Sequence, residues 1–95
     1  MTERQLKTKC IQWLKIKSHT NPLWWYCPAD RFISGIPDII ICSCGKFLWV
    51  ELKKQGGKTT VIQDWMHSQI QKAHGVGRVI ENFIEFKLFL ERMGI

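Results

Sequence analysis

The apolar residues near the start of the chain recur at helical spacing. Thr2 and Gln5 match the capping-box pattern that begins a helix. An apolar stripe at intervals of three and four residues follows: Leu6, Cys10, Trp13 and Leu14. The polar residues 18–22 then predict a loop. The first element is therefore predicted to be an amphipathic helix.

Three short apolar runs in the middle of the chain predict strands at residues 24–27, 39–42 and 47–50. Residues 28–35, which include Asp30 and Arg31, form an irregular connection. The polar segment 43–46 contains Gly45 and predicts a hairpin turn between the second and third strands. If the turn centres between Cys44 and Gly45, Asp38 faces Glu51. A register shifted by one residue would place Asp38 opposite Leu52 instead.

The second half of the chain predicts a helix, a strand and a final helix. Thr60 and Gln63 again match a capping box, and the helix is expected to end at Gly75. Its predicted inward residues are Ile62, Trp65, Met66, Ile70 and Ala73. A strand is predicted at residues 78–81. Asn82 and Glu85 begin the last helix, which is buried through Phe86, Leu90 and Met93. The order αβββαβα predicts an α/β (α+β mixed) domain with a mixed central sheet flanked by helices.

Length and charge limit the classes of protein. Ninety-five residues predict a single domain spanning 1–95. The formal net charge of +6 suits a polyanionic partner. The sequence has neither a run of about eighteen apolar residues nor a signal-peptide pattern. We expect a soluble, intracellular, cytoplasmic protein with no membrane partner and no small-molecule cofactor.

The cysteines and histidines do not form a recognisable metal motif. Only Cys42 and Cys44 are close in sequence among the four cysteines, and no second pair follows at zinc-site spacing. Reduced, packing cysteines are therefore favoured over a metal site. His19, His67 and His74 are scattered and are predicted to be solvated.

Asp38, Glu51 and Lys53 are the candidate catalytic residues. In the predicted register the two carboxylates meet at one end of the hairpin, and Lys53 shares the face of Glu51. Adjacent carboxylates resist ionising together unless a cation neutralises them, and Mg²⁺ or Mn²⁺ suits oxygen ligands. A nearby lysine can hold an attacking water and stabilise charge on a phosphate. The alternative is an exposed strand end at which Glu51 and Lys53 form an ion pair.

Four segments in order resemble the VRR-NUC family of the PD-(D/E)XK nuclease superfamily. They are Gly35-Ile36-Pro37-Asp38, Trp49-Val50-Glu51-Leu52-Lys53, the loop Gly56-Gly57-Lys58, and Gln63. The resemblance covers about residues 35 to 90 and implies a small restriction-endonuclease-like core. It also implies that Asp38, Glu51 and the Leu52 carbonyl bind the metal and that Lys53 is catalytic.

Two further catalytic candidates follow from the same resemblance, and each has a structural alternative. The glutamine of the family maps onto Gln63, which also completes a capping box. The glutamate of the family's N-terminal helix maps onto Glu3. A carboxylate there either balances the helix dipole or points toward the active site.

The basic and aromatic residues suggest surfaces for binding. Lys54 and Lys58 flank Gly56 and Gly57, and this loop is the predicted phosphate-binding segment. The basic residues of the first helix are predicted to be a solvated face: Arg4, Lys7, Lys9, Lys15 and Lys17. Trp24 and Trp25 point to opposite sides of their strand. A core or subunit-interface role is favoured over base stacking.

These observations predict a metal-dependent endonuclease that hydrolyses DNA phosphodiester bonds. Coordinated cutting of a branched or duplex substrate needs two active sites, and a chain this small with surplus aromatic surface is expected to supply them as a homodimer. Stand-alone members of the resembled family are similar to Holliday-junction resolvases, which implies branched DNA as the substrate. A flap or restriction-like DNA nuclease or nickase is the alternative. A nucleic-acid-binding module without catalysis, and a ribonuclease or tRNA-directed enzyme, are the other classes that the sequence leaves open.

Overall fold

The computed structural model describes residues 1–29 and 32–95, so Asp30 and Arg31 of the predicted irregular connection lie outside the described residues. The elements follow the predicted order αβββαβα. They are α1 (Glu3–Lys17), β1 (Leu23–Tyr26), β2 (Ile39–Ser43), β3 (Lys46–Leu52), α2 (Val61–Lys72), β4 (Val76–Ile80) and α3 (Phe83–Arg92).

Side-chain caps begin all three helices. The Thr2 hydroxyl accepts from the Gln5 N–H at 3.1 Å, and the Gln5 side chain accepts from the Thr2 N–H at 2.9 Å. Thr60 and Gln63 form the same reciprocal pair at the start of α2. The Asn82 side chain caps α3. These bonds satisfy N–H groups that the first helical turn leaves without a partner, so the starts of α1 and α2 agree with the sequence.

The hairpin between β2 and β3 has the predicted register. Ile39 pairs with Val50, and Ser43 pairs with Lys46. The two central turn residues, Cys44 and Gly45, have φ of 50° and 80°. Two positive φ angles match the twist of the flanking strands, as in type I′ turns. The turn therefore brings the residue before β2 beside the end of β3.

The four strands form one mixed sheet in the order β1-β2-β3-β4. The β1–β2 and β2–β3 pairs are antiparallel, whereas β3 and β4 run parallel. The parallel pair requires a crossover, and α2 supplies it. The strand predicted at residues 78–81 begins earlier than expected. The chain reverses at His74, with φ of 70°, so the strand starts at Val76.

One face of the sheet packs against α1 and α3 and forms the hydrophobic core. The stripe predicted for α1 is buried there, and Trp13 meets Phe86 edge to face at 5.7 Å between ring centroids. The core comprises Leu6, Cys10, Leu14, Ile39, Ile41, Leu48, Val50, Leu52, Ile80, Phe86, Phe89 and Leu90. This face supplies the apolar burial on which the fold depends.

Among the described residues α2 is the helix that covers the opposite face, and its predicted inward side was right for Met66 and Ile70, which are half-buried, but wrong for the other three residues. Ile62 and Trp65 are 53% and 59% exposed, and Ala73 is also exposed. The buried residue of α2 is His67. Since α2 crosses between β3 and β4, it lies over that half of the sheet and leaves the β1–β2 half open.

Two predictions about cysteines also differ from the structure. Cys10 packs in the core as expected, but Cys42 and Cys44 are exposed rather than buried. Cys44 lies in the hairpin turn, and Cys42 lies on the open half of the sheet opposite Trp24. None of the helices in the described residues has the length and apolar character needed to cross a bilayer.

Candidate active site

Asp38 is fixed at the end of β2 by a hydrogen bond from β3. Its Oδ2 atom accepts from the Leu52 N–H at 2.7 Å. This bond ties the Pro37-Asp38 segment to the end of the neighbouring strand and leaves Oδ1 available for another partner. The hairpin register thus places Asp38 beside Glu51 and the main chain of Leu52.

Glu51 is a buried carboxyl group, with 2% of the residue exposed. Burial, a hydrogen bond with Asp38 and the negative charge of Asp38 raise the pKa of Glu51 to about 9. The positive charge of Lys53 acts in the opposite direction, and the charge of Glu3 adds to the rise. Without a cation, the raised pKa of Glu51 therefore keeps this group protonated at neutral pH.

The donor set suits a divalent cation. A cation bound between Asp38 and Glu51 would replace the proton and allow both carboxylates to ionise. Among the described residues no group of three His, Cys, Asp or Glu side chains is arranged to hold a metal. The oxygen donors at this end of the hairpin are the two carboxylates and the main chain of Leu52, and they would be the protein ligands of a cation bound here. Mg²⁺, which retains several waters when bound to proteins, fits such a sparse oxygen site.

A cavity of about 320 Å³ opens beside the two strand ends. Its walls include Glu3, Arg4, Lys7, Asp38 and Leu52. The first turn of α1 thus reaches the end of the hairpin. Arg4 and Lys7 were predicted to lie on a solvated face, but they line this cavity together with the acidic residues. A negatively charged substrate group entering here would meet both cationic side chains.

Glu3 also makes a direct contact with the segment after β3. Its Oε1 atom accepts from the Lys54 N–H at 3.3 Å. Of the two alternatives for Glu3, the position beside the site is the one observed, although this residue also lies in the first turn of α1 where it favours the helix dipole.

Gln63 has the structural contact predicted for it. Its side chain accepts from the Thr60 N–H at 2.9 Å, which completes the cap of α2. Gln63 and His67 are four residues apart and therefore share one face of the helix.

His67 is the residue of the site that the sequence interpretation missed. The prediction that it is solvated was wrong, since only 6% of the residue is exposed. Its Nε2 atom lies 3.3 Å from Glu51 Oε1, and its ring stacks on Trp49 with 4.0 Å between centroids. Desolvation lowers the pKa of His67, which favours the neutral ring. The available signal was its spacing of four residues from Gln63.

The loop after β3 has a defined turn at its start. Lys53 is half-buried, and its N–H donates to the Ile80 carbonyl at 3.0 Å. The Gly57 N–H donates to the Lys54 carbonyl at 2.8 Å, and the Gly56 N–H donates to Glu81 at 3.1 Å. The side chains of Lys54 and Lys58 are exposed. The loop that follows β3 therefore presents two exposed cationic side chains.

Of the comparisons with known proteins, the one with solved structures found a similar fold. No protein-family model and no curated protein matches the sequence. Among solved structures, a VRR_NUC domain superposes with a TM-score of 0.73 at 18% sequence identity, over 96% of this chain and 97% of that chain. The chain therefore has the nuclease-type fold of a VRR_NUC domain, and the resemblance drawn from the sequence motifs is confirmed at the level of the fold.

Proposed function

We propose that this protein is a divalent-metal-dependent endonuclease that hydrolyses DNA phosphodiester bonds, and that it is a member of the VRR-NUC family. The observation that carries the proposal is the pairing of Asp38 and Glu51 at one end of the hairpin, with Lys53 on the same side. A buried carboxyl beside a second carboxylate is unfavourable by itself, and a cation would relieve that repulsion.

Each residue of the site has a role in this proposal. Asp38, Glu51 and the Leu52 carbonyl would hold Mg²⁺ or Mn²⁺, which would supply Lewis-acid stabilisation of the charge on the phosphate. Lys53 positions the attacking water and stabilises the negative charge that develops on the phosphate oxygens. Water attacks phosphorus and releases a proton to solvent, the bond from phosphorus to the leaving sugar oxygen breaks, and that oxygen takes up a proton from solvent, so one water is consumed for each bond cut.

The substrate backbone is held by the basic residues around the site. Arg4 and Lys7 line the cavity beside Asp38, and Lys54 and Lys58 extend from the following loop. Gly56 and Gly57 have no side chain, so the backbone of this loop allows close approach of a phosphate to the neighbouring lysines. Phosphate contacts of this kind fix the position of DNA without reading its sequence. A DNA substrate also implies an intracellular location.

We further propose that the protein acts as a homodimer on branched DNA such as a four-way junction. The β1–β2 half of the sheet exposes an open apolar face, formed by Trp24, Tyr26, Ile40 and Phe47. A cavity of about 490 Å³ lies between this face and the Met66 side of α2. A second copy that covered the face would pair two active sites, one for each of two opposing strands. Stable dimers bury about 800 Å² per partner.

A single assay with a panel of substrates tests the proposal. Labelled four-way junction, flap, duplex, single-stranded DNA and RNA are incubated with Mg²⁺, Mn²⁺ or EDTA, and light scattering is recorded over a concentration series. We expect DNA cleavage only with metal, preference for the junction and a dimeric mass. Cleavage of all branched and linear duplexes alike by a monomer would favour the flap or restriction-like nickase. DNA binding without cleavage in any metal would favour a binding module, and preference for RNA would favour the ribonuclease class.

A further inference from the structure

His67 lies in a three-layer stack behind Glu51. The Trp49 indole lies against Gly77 of β4, where a Cβ atom would overlap the indole ring, so only glycine fits beneath it. The His67 ring stacks on the Trp49 ring at an interplanar angle of 21°. The backbone of β4 thus supports Trp49, and Trp49 supports the imidazole.

The stack fixes the imidazole in one direction. The two rings are nearly parallel. The His67 side chain is buried between its own helix, α2, and the sheet, so the imidazole has little freedom to rotate away. Its Nε2 atom faces Glu51 Oε1. A buried imidazole without a hydrogen-bond partner would be costly, so this contact is the polar interaction that justifies a histidine in an otherwise apolar layer.

We propose that His67 is a positioning residue for Glu51, an inference that rests on the proposed metal-dependent function. Its Nε2–H donates to Oε1 of the ionised carboxylate and leaves Oε2 to bind the cation beside Asp38. Hydrogen bonds from such outer residues orient metal ligands and commonly contribute a factor of about 10–100 in metal affinity.

The position of His67 argues against two other roles, that of general base and that of direct metal ligand. The Nε2 atom of His67 faces Glu51 Oε1 rather than the cavity that Asp38 and the α1 residues line. We therefore assign the imidazole to the carboxylate and not to the attacking water. Direct ligation is also disfavoured, since Mg²⁺ selects oxygen ligands and Nε2 already faces a carboxylate oxygen.

Paired substitutions test the donor separately from the packing. His67→Phe keeps an aromatic ring on Trp49 but removes the donor, whereas His67→Gln loses the ring and retains an N–H group that can reach Glu51. We expect His67→Phe to weaken Mn²⁺ binding by about 10–100-fold in calorimetry. We expect His67→Gln to recover most of that loss. His19→Phe, at an exposed histidine, is the matched control and should bind Mn²⁺ normally.

A kinetic measurement adds a second readout. With saturating metal, His67→Phe should lower kcat while the KM for DNA stays unchanged, because the phosphate contacts lie elsewhere. Thermal unfolding in EDTA checks that each variant is folded. If His67→Phe does not fold, His67→Gln and the spectroscopy of the wild-type protein still decide the question.

The protonated nitrogen of His67 can be observed directly. In ¹⁵N-histidine-labelled wild-type protein, long-range ¹H–¹⁵N spectra should show the Nε2–H tautomer of His67 when Mg²⁺ is bound. An Nε2 without a proton would make His67 a direct ligand and overturn the proposal. So would unchanged Mn²⁺ affinity in His67→Phe, provided that the wild-type protein binds metal and cleaves DNA. A wild-type protein that does neither would overturn the proposed function itself.

Discussion

The two faces of the sheet differ in how they are covered and in what they contain. On the α1–α3 face, alternate residues of the central strands pack beneath two helices and are almost wholly inaccessible: Ile39, Ile41, Leu48, Val50, Leu52 and Ile80. On the α2 face, Trp49 and Glu51 are buried by a single helix, whereas Trp24 and Tyr26 remain 58% and 52% exposed.

The two faces therefore differ in what they contribute: one to the stability of the fold, the other to the proposed chemistry. The α1–α3 face holds the apolar core, and the carboxyl of Glu51 and the imidazole of His67 are buried on the other face. Polar groups that resist burial are tolerated there because the first face already supplies most of the apolar burial. We therefore expect substitutions on the two faces to have different effects, and the following experiments test that expectation.

The largest effect is expected from removing a metal-binding carboxylate on the α2 face. Asp38→Asn and Glu51→Gln should each reduce cleavage by at least about 10³-fold, since loss of the cation removes several kcal/mol of transition-state stabilisation. Both variants should remain folded, because each amide has nearly the same size and shape as the carboxyl group that it replaces. Cleavage is measured on gels, and metal binding by calorimetry.

Circular dichroism of the same variants provides the control for folding. Normal cleavage by either variant, or wild-type cleavage in excess EDTA, would contradict the assignment of these residues as metal ligands.

Lys53 and Lys54 are adjacent in sequence, but Lys53 is half-buried and Lys54 is exposed, so they form a matched pair. Lys53→Ala should lower the cleavage rate by about 10²–10⁴-fold, a range typical of groups that stabilise charge or transfer protons. Metal affinity should be retained. Lys54→Ala should have a much smaller effect on the rate at saturating DNA.

Single-turnover kinetics with saturating metal compares the two variants. Equal losses would indicate that both lysines are general phosphate contacts, and the catalytic role of Lys53 would then be rejected.

The two faces should also differ in their contribution to folding. Phe86→Ala on the α1–α3 side should lower the free energy of unfolding by about 3–5 kcal/mol, since the side chain is fully buried. Trp24→Ala on the open apolar face should change monomer stability by less than about 1 kcal/mol but weaken dimerisation. Urea unfolding and light scattering over a concentration series measure the two quantities.

Cys42→Ser, a smaller change on the same open face, is the control for Trp24→Ala. An unchanged mass distribution in Trp24→Ala would show that a dimer, if formed, uses another surface.

The last prediction concerns the stability of the metal-free protein as pH changes. The pKa of Glu51 is about 9 in the folded protein and near 4.5 when unfolded, so the folded state binds the proton more tightly. This contribution to stability is complete below pH 4.5 and is lost as pH rises toward 9. Glu51→Gln has no proton to release. The stability of the variant relative to wild type should therefore increase with pH across this window, by at most about 1.4 kcal/mol per pH unit.

Denaturant unfolding of both proteins in EDTA at several pH values measures this difference. The lowered pKa of His67 reduces the free energy of unfolding below pH 6.5 in both proteins, so this contribution largely cancels when the two are compared. A constant difference from pH 5 to 9 would show that Glu51 is ionised in the folded protein, and added Mg²⁺ should stabilise the wild type selectively.

Local patterns determined the elements and the pairing of the two carboxylates. The caps at Thr2 and Thr60 depend on neighbours three residues away, and the hairpin register depends on a turn of two residues. Interactions of such short range can be read from sequence, because side chains alternate strictly along a strand. The position of Asp38 beside Glu51 followed directly.

Only the tertiary structure decided which side of α2 is buried and which residues of α1 join the site. The helical period indicates an apolar stripe, but the crossover from β3 to β4 sets where the helix lies, and Gly77 makes room for Trp49 beneath His67. The contact of Glu3 with the Lys54 N–H joins segments far apart in sequence. Such long-range packing depends on the shapes of several elements at once, which no local pattern in this chain specifies.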